Sequence, residues 1–213
     1  MFFIIKRFLV FSIILVTLSS CTNRINHLKN HYFYQGESLP NNYQKVHNYL
    51  FNVRLYDQFK TLGIFDILWL SDDIRRAYAS TYCAKHNLNK NDCEYLSQEQ
   101  LSLNENHISF YILASKDMHK KTKIFAKNGT AENIAWALSL LFDNQEYFPT
   151  EIKTVDLPLE YILFFKDRYN RYQKYFLVSF AIPQARKKLS RANQQLKLVI
   201  SSDQQKAVIN IIK

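Results

Sequence analysis

The spacing of apolar side chains changes at His107, and no single kind of secondary structure accommodates both halves of the chain. Before that point Val46, Leu50, Val53, Tyr56 and Phe59 recur at intervals of three and four, which predicts an amphipathic helix over Asn42 to Thr61, stopped by Gly63. An apolar block from Ile64 to Leu70 follows. Ser71-Asp72-Asp73 then supplies a cap and first-turn acids for a helix through Arg75, Ala77, Tyr78 and Tyr82. Ser97-Gln98-Glu99-Gln100 fits a capping box for a further helix. After His107 the period falls to two. Ile108–Leu113, Ile134–Leu140 and Tyr175–Ile182 read as strands, and Leu196–Ile200 with Ala207–Ile212 reads as a terminal hairpin across Ser202-Asp203. Ile124–Ala126 and Ile152–Val155 are weaker strand signals, and Leu159–Phe165 fits strand or helix. The expected fold class is α+β: a mainly helical region over 41–105, then an antiparallel β-sandwich over 106–213, immunoglobulin-like in architecture. With only three glycines, its corners fall to Asp143-Asn144, Asn128-Gly129 and Phe148-Pro149.

The first twenty residues belong to a different problem. Lys6 and Arg7 form a positive start, Phe8 to Thr17 is apolar, and Leu18-Ser19-Ser20-Cys21 closes the segment. The uncharged run from Phe8 to Ser20 spans roughly 20 Å as a helix, short of the ~30 Å hydrocarbon core. Moving its start to Phe2 would bury two cations, and no Ala-x-Ala-like cleavage site is present. The arrangement resembles a bacterial lipoprotein signal ending in a lipobox. The resemblance implies removal of residues 1–20, a diacylglycerol thioether on Cys21 and acylation of its freed amine, enough chains for stable anchoring. Thr22, in place of the aspartate that retains such proteins at the inner membrane, points to the periplasmic face of the outer membrane. Residues 21–40, polar and without period, read as a flexible tether.

Removing the signal takes away Lys6 and Arg7 and no acid, leaving 26 basic against 18 acidic side chains, a balance of +8. Export makes nucleic acid an unsuitable partner for that charge and favours an envelope protein, an anionic glycan or a lipid head group. The cluster Arg186-Lys187-Lys188 with Arg191, read as a loop, is one candidate contact with a membrane surface.

Catalytic signatures are sparse. Gly36, Gly63 and Gly129 are too far apart in sequence to build a phosphate-cradling loop, and neither a Gly-x-Ser-x-Gly elbow nor a His-Glu-x-x-His motif occurs. Cys83 and Cys93 remain once Cys21 is assigned to lipid. They admit three readings: a disulfide, part of a zinc site with His86, or two buried thiols. His27 and His31 have helical ligand spacing but fall in the tether. Asp72 and Asp73 read as helix-capping acids, and Asp57, Asp66 and Glu160 show no acid–base spacing. The aromatic and cationic stretch Tyr161–Phe176 reads as a hairpin with one packed face, or alternatively as a carbohydrate-binding surface. The sequence therefore implies a membrane-anchored lipoprotein in a non-catalytic accessory or binding role, with no cofactor, no metal and no catalytic residue. Its rivals are an envelope hydrolase with a cleft between helices and sandwich, and a carbohydrate or anionic-polymer module.

Overall fold

A computed structural model describes residues 46–57, 60–115, 123–125, 134–170, 172–191 and 194–212. The signal, Cys21, the tether with His27 and His31, and the Asn128-Gly129 corner lie outside the described residues. Within 41–213 the strands are β1 (Leu50–Asp57), β2 (Lys60–Trp69), β3 (His107–Ser115), β4 (Lys123–Phe125), β5 (Ile134–Phe142), β6 (Gln145–Tyr147), β7 (Glu151–Thr154), β8 (Gln173–Ala181), β9 (Leu196–Ser201) and β10 (Lys206–Ile212). The helices are α1 (Asp72–His86), α2 (Lys90–Ser102), α3 (Leu159–Phe165) and α4 (Ala185–Leu189). One sheet runs β1-β2-β3-β8-β7. The other runs β10-β9-β5-β4, with β6 also paired to β5. All pairs are antiparallel except β4 with β5, which is parallel.

The two sheets face each other across one apolar core. Phe65 and Ile67 of β2, Ile108, Phe110 and Ile112 of β3, and Val178 and Phe180 of β8 meet Trp136, Leu138 and Leu140 of β5 and Leu198 and Ile200 of β9. Ring pairs tie it laterally: Phe110 meets Phe180 edge-on at 6.0 Å, and Phe65 meets Trp136 edge-on at 5.3 Å. Each such large side chain removed from water stabilises the fold by about 1.5–3 kcal/mol. The first sheet carries a second core on its other face, where Leu68 and Leu113 pack with Ile74 and Ala77 of α1 and Phe164 and Phe165 of α3. The architecture is thus a mixed α and β fold, two face-packed sheets with a helical layer on one outer face.

Of the helix expected over Asn42–Thr61, the described residues form a 3₁₀ turn, His47–Tyr49, followed by β1 (Leu50–Asp57) and the start of β2, and the apolar block from Ile64 lies in β2 up to Trp69. The reason is that Phe51, Val53 and Leu55 also alternate. They share one face, pack against the inter-sheet core, and outweigh the three- and four-residue spacing. The boundary near residue 106 disappears with that helix, because β1 and β2 extend the same sheet as β3 and β8. The second half is also less purely β than expected: Leu159–Phe165 is α3, and Ala185–Leu189 is α4.

Local chemistry sets the helix ends. The Ser71 hydroxyl accepts from the Ile74 amide at 3.3 Å, and Asn87 closes α1 in the left-handed conformation at φ 50°. Asn89 accepts from the Asp92 amide at 3.0 Å, so α2 starts at Lys90 and runs through Ser97 rather than beginning there. The Cys83 and Cys93 sulphurs are bonded across this corner, with Cα atoms 5.8 Å apart. Asp143 and Asn144, both at positive φ, form the two-residue turn between β5 and β6.

Gly63 stops no helix. It lies in β2 opposite Leu55, beside an irregularity in the β1–β2 register, where the strand passes under two core rings. A Cβ there falls 2.8 Å from Phe65 Cε2 and 3.1 Å from Trp136 Cζ2. Gly63→Ala would gain about 0.5–1 kcal/mol of backbone entropy, but displacing two packed rings costs about 1–3 kcal/mol. Gly63→Ala should therefore lower the urea midpoint with an unchanged slope; a midpoint equal to or above wild type would show that the rings yield freely.

Candidate functional site

The site begins with a cation placed where helix periodicity calls for an apolar residue. Arg75 follows Ile74 in the first turn of α1, and the α1 face that packs on the sheet carries it inside, where it is only 4% exposed. Its Nε donates to Asn104 Oδ1 at 2.7 Å, and its Nη1 donates to Gln100 Oε1 at 3.3 Å. Both acceptors are neutral amides. Among the described residues no carboxylate pairs with it directly. Asp72 acts one step removed: Asn104 Nδ2 donates to Asp72 Oδ1 at 2.9 Å and to the Leu70 carbonyl at 3.0 Å, and Arg186 Nε donates to Asp72 Oδ2 at 2.8 Å. Burial pushes the Arg75 pKa below its ordinary value, against the opposing influence of Tyr161, Tyr111 and Asp72. An arginine nevertheless remains charged in a protein, so the guanidinium is a buried cation.

Arg75 lines a cleft of about 490 Å³ between the helical layer and the outer face of β3 and β8. Three tyrosines reach it from separate elements: Tyr78 from α1, Tyr111 from β3 and Tyr161 from α3. The Tyr78 and Tyr161 rings stack at 4.5 Å and 7°, and Tyr111 meets Tyr161 edge-on at 4.8 Å. None of the three hydroxyls donates or accepts a hydrogen bond among the described residues. Burial raises the pKa of each, so the phenols stay protonated and keep their donor hydrogens. Ser109 and Ser179, paired across β3 and β8, share a hydrogen bond at 3.1 Å in the same cleft. His107 and Glu151 are exposed residues of its lining.

The other candidates have structural partners. Asp73 accepts from the Tyr49 hydroxyl and lies 3.7 Å from Arg76, which together with the bonds to Asp72 accounts for both first-turn acids. Asp66 is buried, accepts from Asn52 at 2.8 Å and lies 3.7 Å from Arg168. Glu160 is buried beside Lys85 at 3.3 Å, joining α3 to α1. Arg186 to Lys188 lie in α4, not in a loop, with Arg186 bound to Asp72. Tyr161, Phe164 and Phe165 are core residues, and Tyr169 stacks on Tyr175 at 5.5 Å. Among the described residues no group of three or more His, Cys, Asp or Glu side chains is arranged to hold a metal.

The sequence pattern places Arg75 on a helix, whose apolar face this cation interrupts. Its neighbours Ile74, Ala77 and Tyr78 carry that signal. The convergence of three tyrosines from residues 78, 111 and 161 has no local signature. Compared with protein-family models, curated proteins and solved structures, the chain matches none.

The phenols carry a pH consequence. The unfolded chain releases its tyrosine protons near pH 10, whereas the fold holds those of Tyr78, Tyr111 and Tyr161 above that value, so stability is full below pH 10 and falls as pH rises further. Alkaline titration followed by phenolate absorbance and circular dichroism together should show a subset of tyrosines ionising only as the fold is lost. A complete phenolate signal near pH 10 with the dichroism intact would contradict the buried cluster.

Proposed function

We propose that this chain is a lipid-anchored lipoprotein of the bacterial cell envelope, held by Cys21 at the periplasmic face of the outer membrane, whose folded body is a non-catalytic ligand-binding domain. The anchor rests on Lys6-Arg7, the apolar run to Thr17 and Leu18-Ser19-Ser20-Cys21. The binding role rests on one observation: a guanidinium buried without a carboxylate beneath an open cleft. A buried charge is costly, and a site that receives a complementary group recovers that cost on binding. In this reading the sandwich, immunoglobulin-like only in having two face-packed sheets, is the rigid frame.

The hydrolase alternative asks for two carboxyl groups about 5–10 Å apart in one pocket. Glu151 is the single carboxylate in the lining of the cleft, and it is exposed; Asp72 and Asp73 line a neighbouring pocket, but Asp72 is held by Asn104 and Arg186 and Asp73 by Tyr49 and Arg76 as helix-start acids. The carbohydrate-module alternative asks for an exposed aromatic platform within Tyr161–Phe176. Tyr161 and Phe164 are buried, and the stacked rings of Tyr169 and Tyr175 are half-buried, which leaves Tyr172, 71% exposed, as the exposed tyrosine of that stretch among the described residues. Binding of a small ligand in the cleft therefore has the better support. Among the described residues no helix is long and apolar enough to cross a membrane.

Tritiated palmitate should label the wild type and not Cys21→Ser, and the variant should leave the membrane fraction with its circular dichroism unchanged. An unlabelled wild type, or a Cys21→Ser protein that fractionates as before, would remove the anchor and the location with it.

A further inference from the structure

Resting on the reading of the cleft as a binding site, we propose that its ligand is a small molecule with one carboxylate on an apolar or aromatic body, and that Arg75 receives the carboxylate. Two of the guanidinium's nitrogens are committed, Nε to Asn104 and Nη1 to Gln100, while Nη2 has no hydrogen bond among the described residues. These two bonds fix the plane of the group and leave the two hydrogens of Nη2 and the second hydrogen of Nη1 as donors, enough to meet the two oxygens of a carboxylate, the pairing in which guanidinium and carboxylate bind most strongly. The hydroxyls of Tyr78, Tyr111 and Tyr161 supply further donors at the same cleft, and burial keeps them protonated.

Charge selects among anions. Arg75 is the single Lys or Arg of the lining, so it neutralises one negative charge, and Glu151 opposes a second. A phosphate dianion would remain half compensated, whereas a carboxylate is matched. Beside the polar side chains of Gln100, His107, Ser109, Thr150 and Ser179, the wall presents hydrocarbon from Leu70, Leu103, Pro158 and Leu177 and the faces of the tyrosine rings. That wall rewards an apolar body, and the 490 Å³ of space lies within the range of small-molecule sites.

The test uses the full chain in detergent micelles and calorimetric titration with four probes: phenylacetate, phenylacetamide, phenethylamine and inorganic phosphate. Phenylacetate should bind at least tenfold more tightly than the other three. Arg75→Gln should weaken it at least tenfold, and Tyr161→Phe, which removes one hydroxyl and keeps the ring, severalfold with unchanged circular dichroism. The comparison of phenylacetate with phenylacetamide needs no variant, so it stands even if Arg75→Gln fails to fold. Equal binding of the amide or the amine would overturn the carboxylate while leaving the cleft a binding site. Tighter binding of phosphate would overturn it in favour of that anion. Silence from all four probes would remove both the inference and the binding reading beneath it.

Discussion

The structure depends on a sheet that is covered on both faces. In β3 and β8, Ile108, Phe110, Ile112, Phe176, Val178 and Phe180 point into the sandwich, while Leu113, Tyr111 and Leu177 point toward the helices. Each strand therefore serves two cores with alternate residues, and a register slip of one would exchange them. The helical side is not uniform along its length. Where Leu68 and Leu113 rise from the sheet, α1 and α3 close over them. Further along, the paired positions are Ser109 and Ser179, whose small side chains leave the space that becomes the cleft. The opening follows from side-chain size at one matched pair of strand positions, within a backbone ladder that continues through it.

That two-sided burial also decides what the amino-acid sequence discloses. Strands such as β3, β5, β8, β9 and β10 are legible because their alternation runs long enough to exclude a helix. The β1 segment is ambiguous: Val46, Leu50, Val53 and Tyr56 fit one period while Phe51, Val53 and Leu55 fit the other, and only pairing with β2 decides. The cap at Ser71 is visible because hydroxyl, acids and apolar run are adjacent in the chain. The cleft is not, since its parts come from α1, α2, β3, β7, α3 and β8 and meet only through long-range packing.

Asn104 shows how such a site is held without local cues. It follows the end of α2, is buried, and touches three partners at once: Arg75, Asp72 and the Leu70 carbonyl. Its amide presents an acceptor to the guanidinium and donors to the carboxylate, so one side chain separates two opposite charges while orienting both. Asp72 completes the series through Arg186 on α4. The arrangement ties the start of α1, the end of α2 and α4 into one polar network at the edge of the apolar layer, and a network satisfied in this way limits the conformations its members can adopt.

The treatment of Arg75 differs from that of three other cations among the described residues. Lys85 is set against Glu160, Arg168 against Asp66 and Arg186 against Asp72, each within 4 Å of a carboxylate. Arg75 is buried more deeply than any of these, yet it receives two amides. A carboxylate in place of Asn104 would have compensated the charge within the fold, and a hydrophobic residue in place of Arg75 would have avoided the cost altogether. An amide does neither: it fixes the guanidinium's direction and leaves its charge uncancelled. Orientation without neutralisation is of little use to a fold that needs only stability, and it is what a site requires when the neutralising group comes from outside.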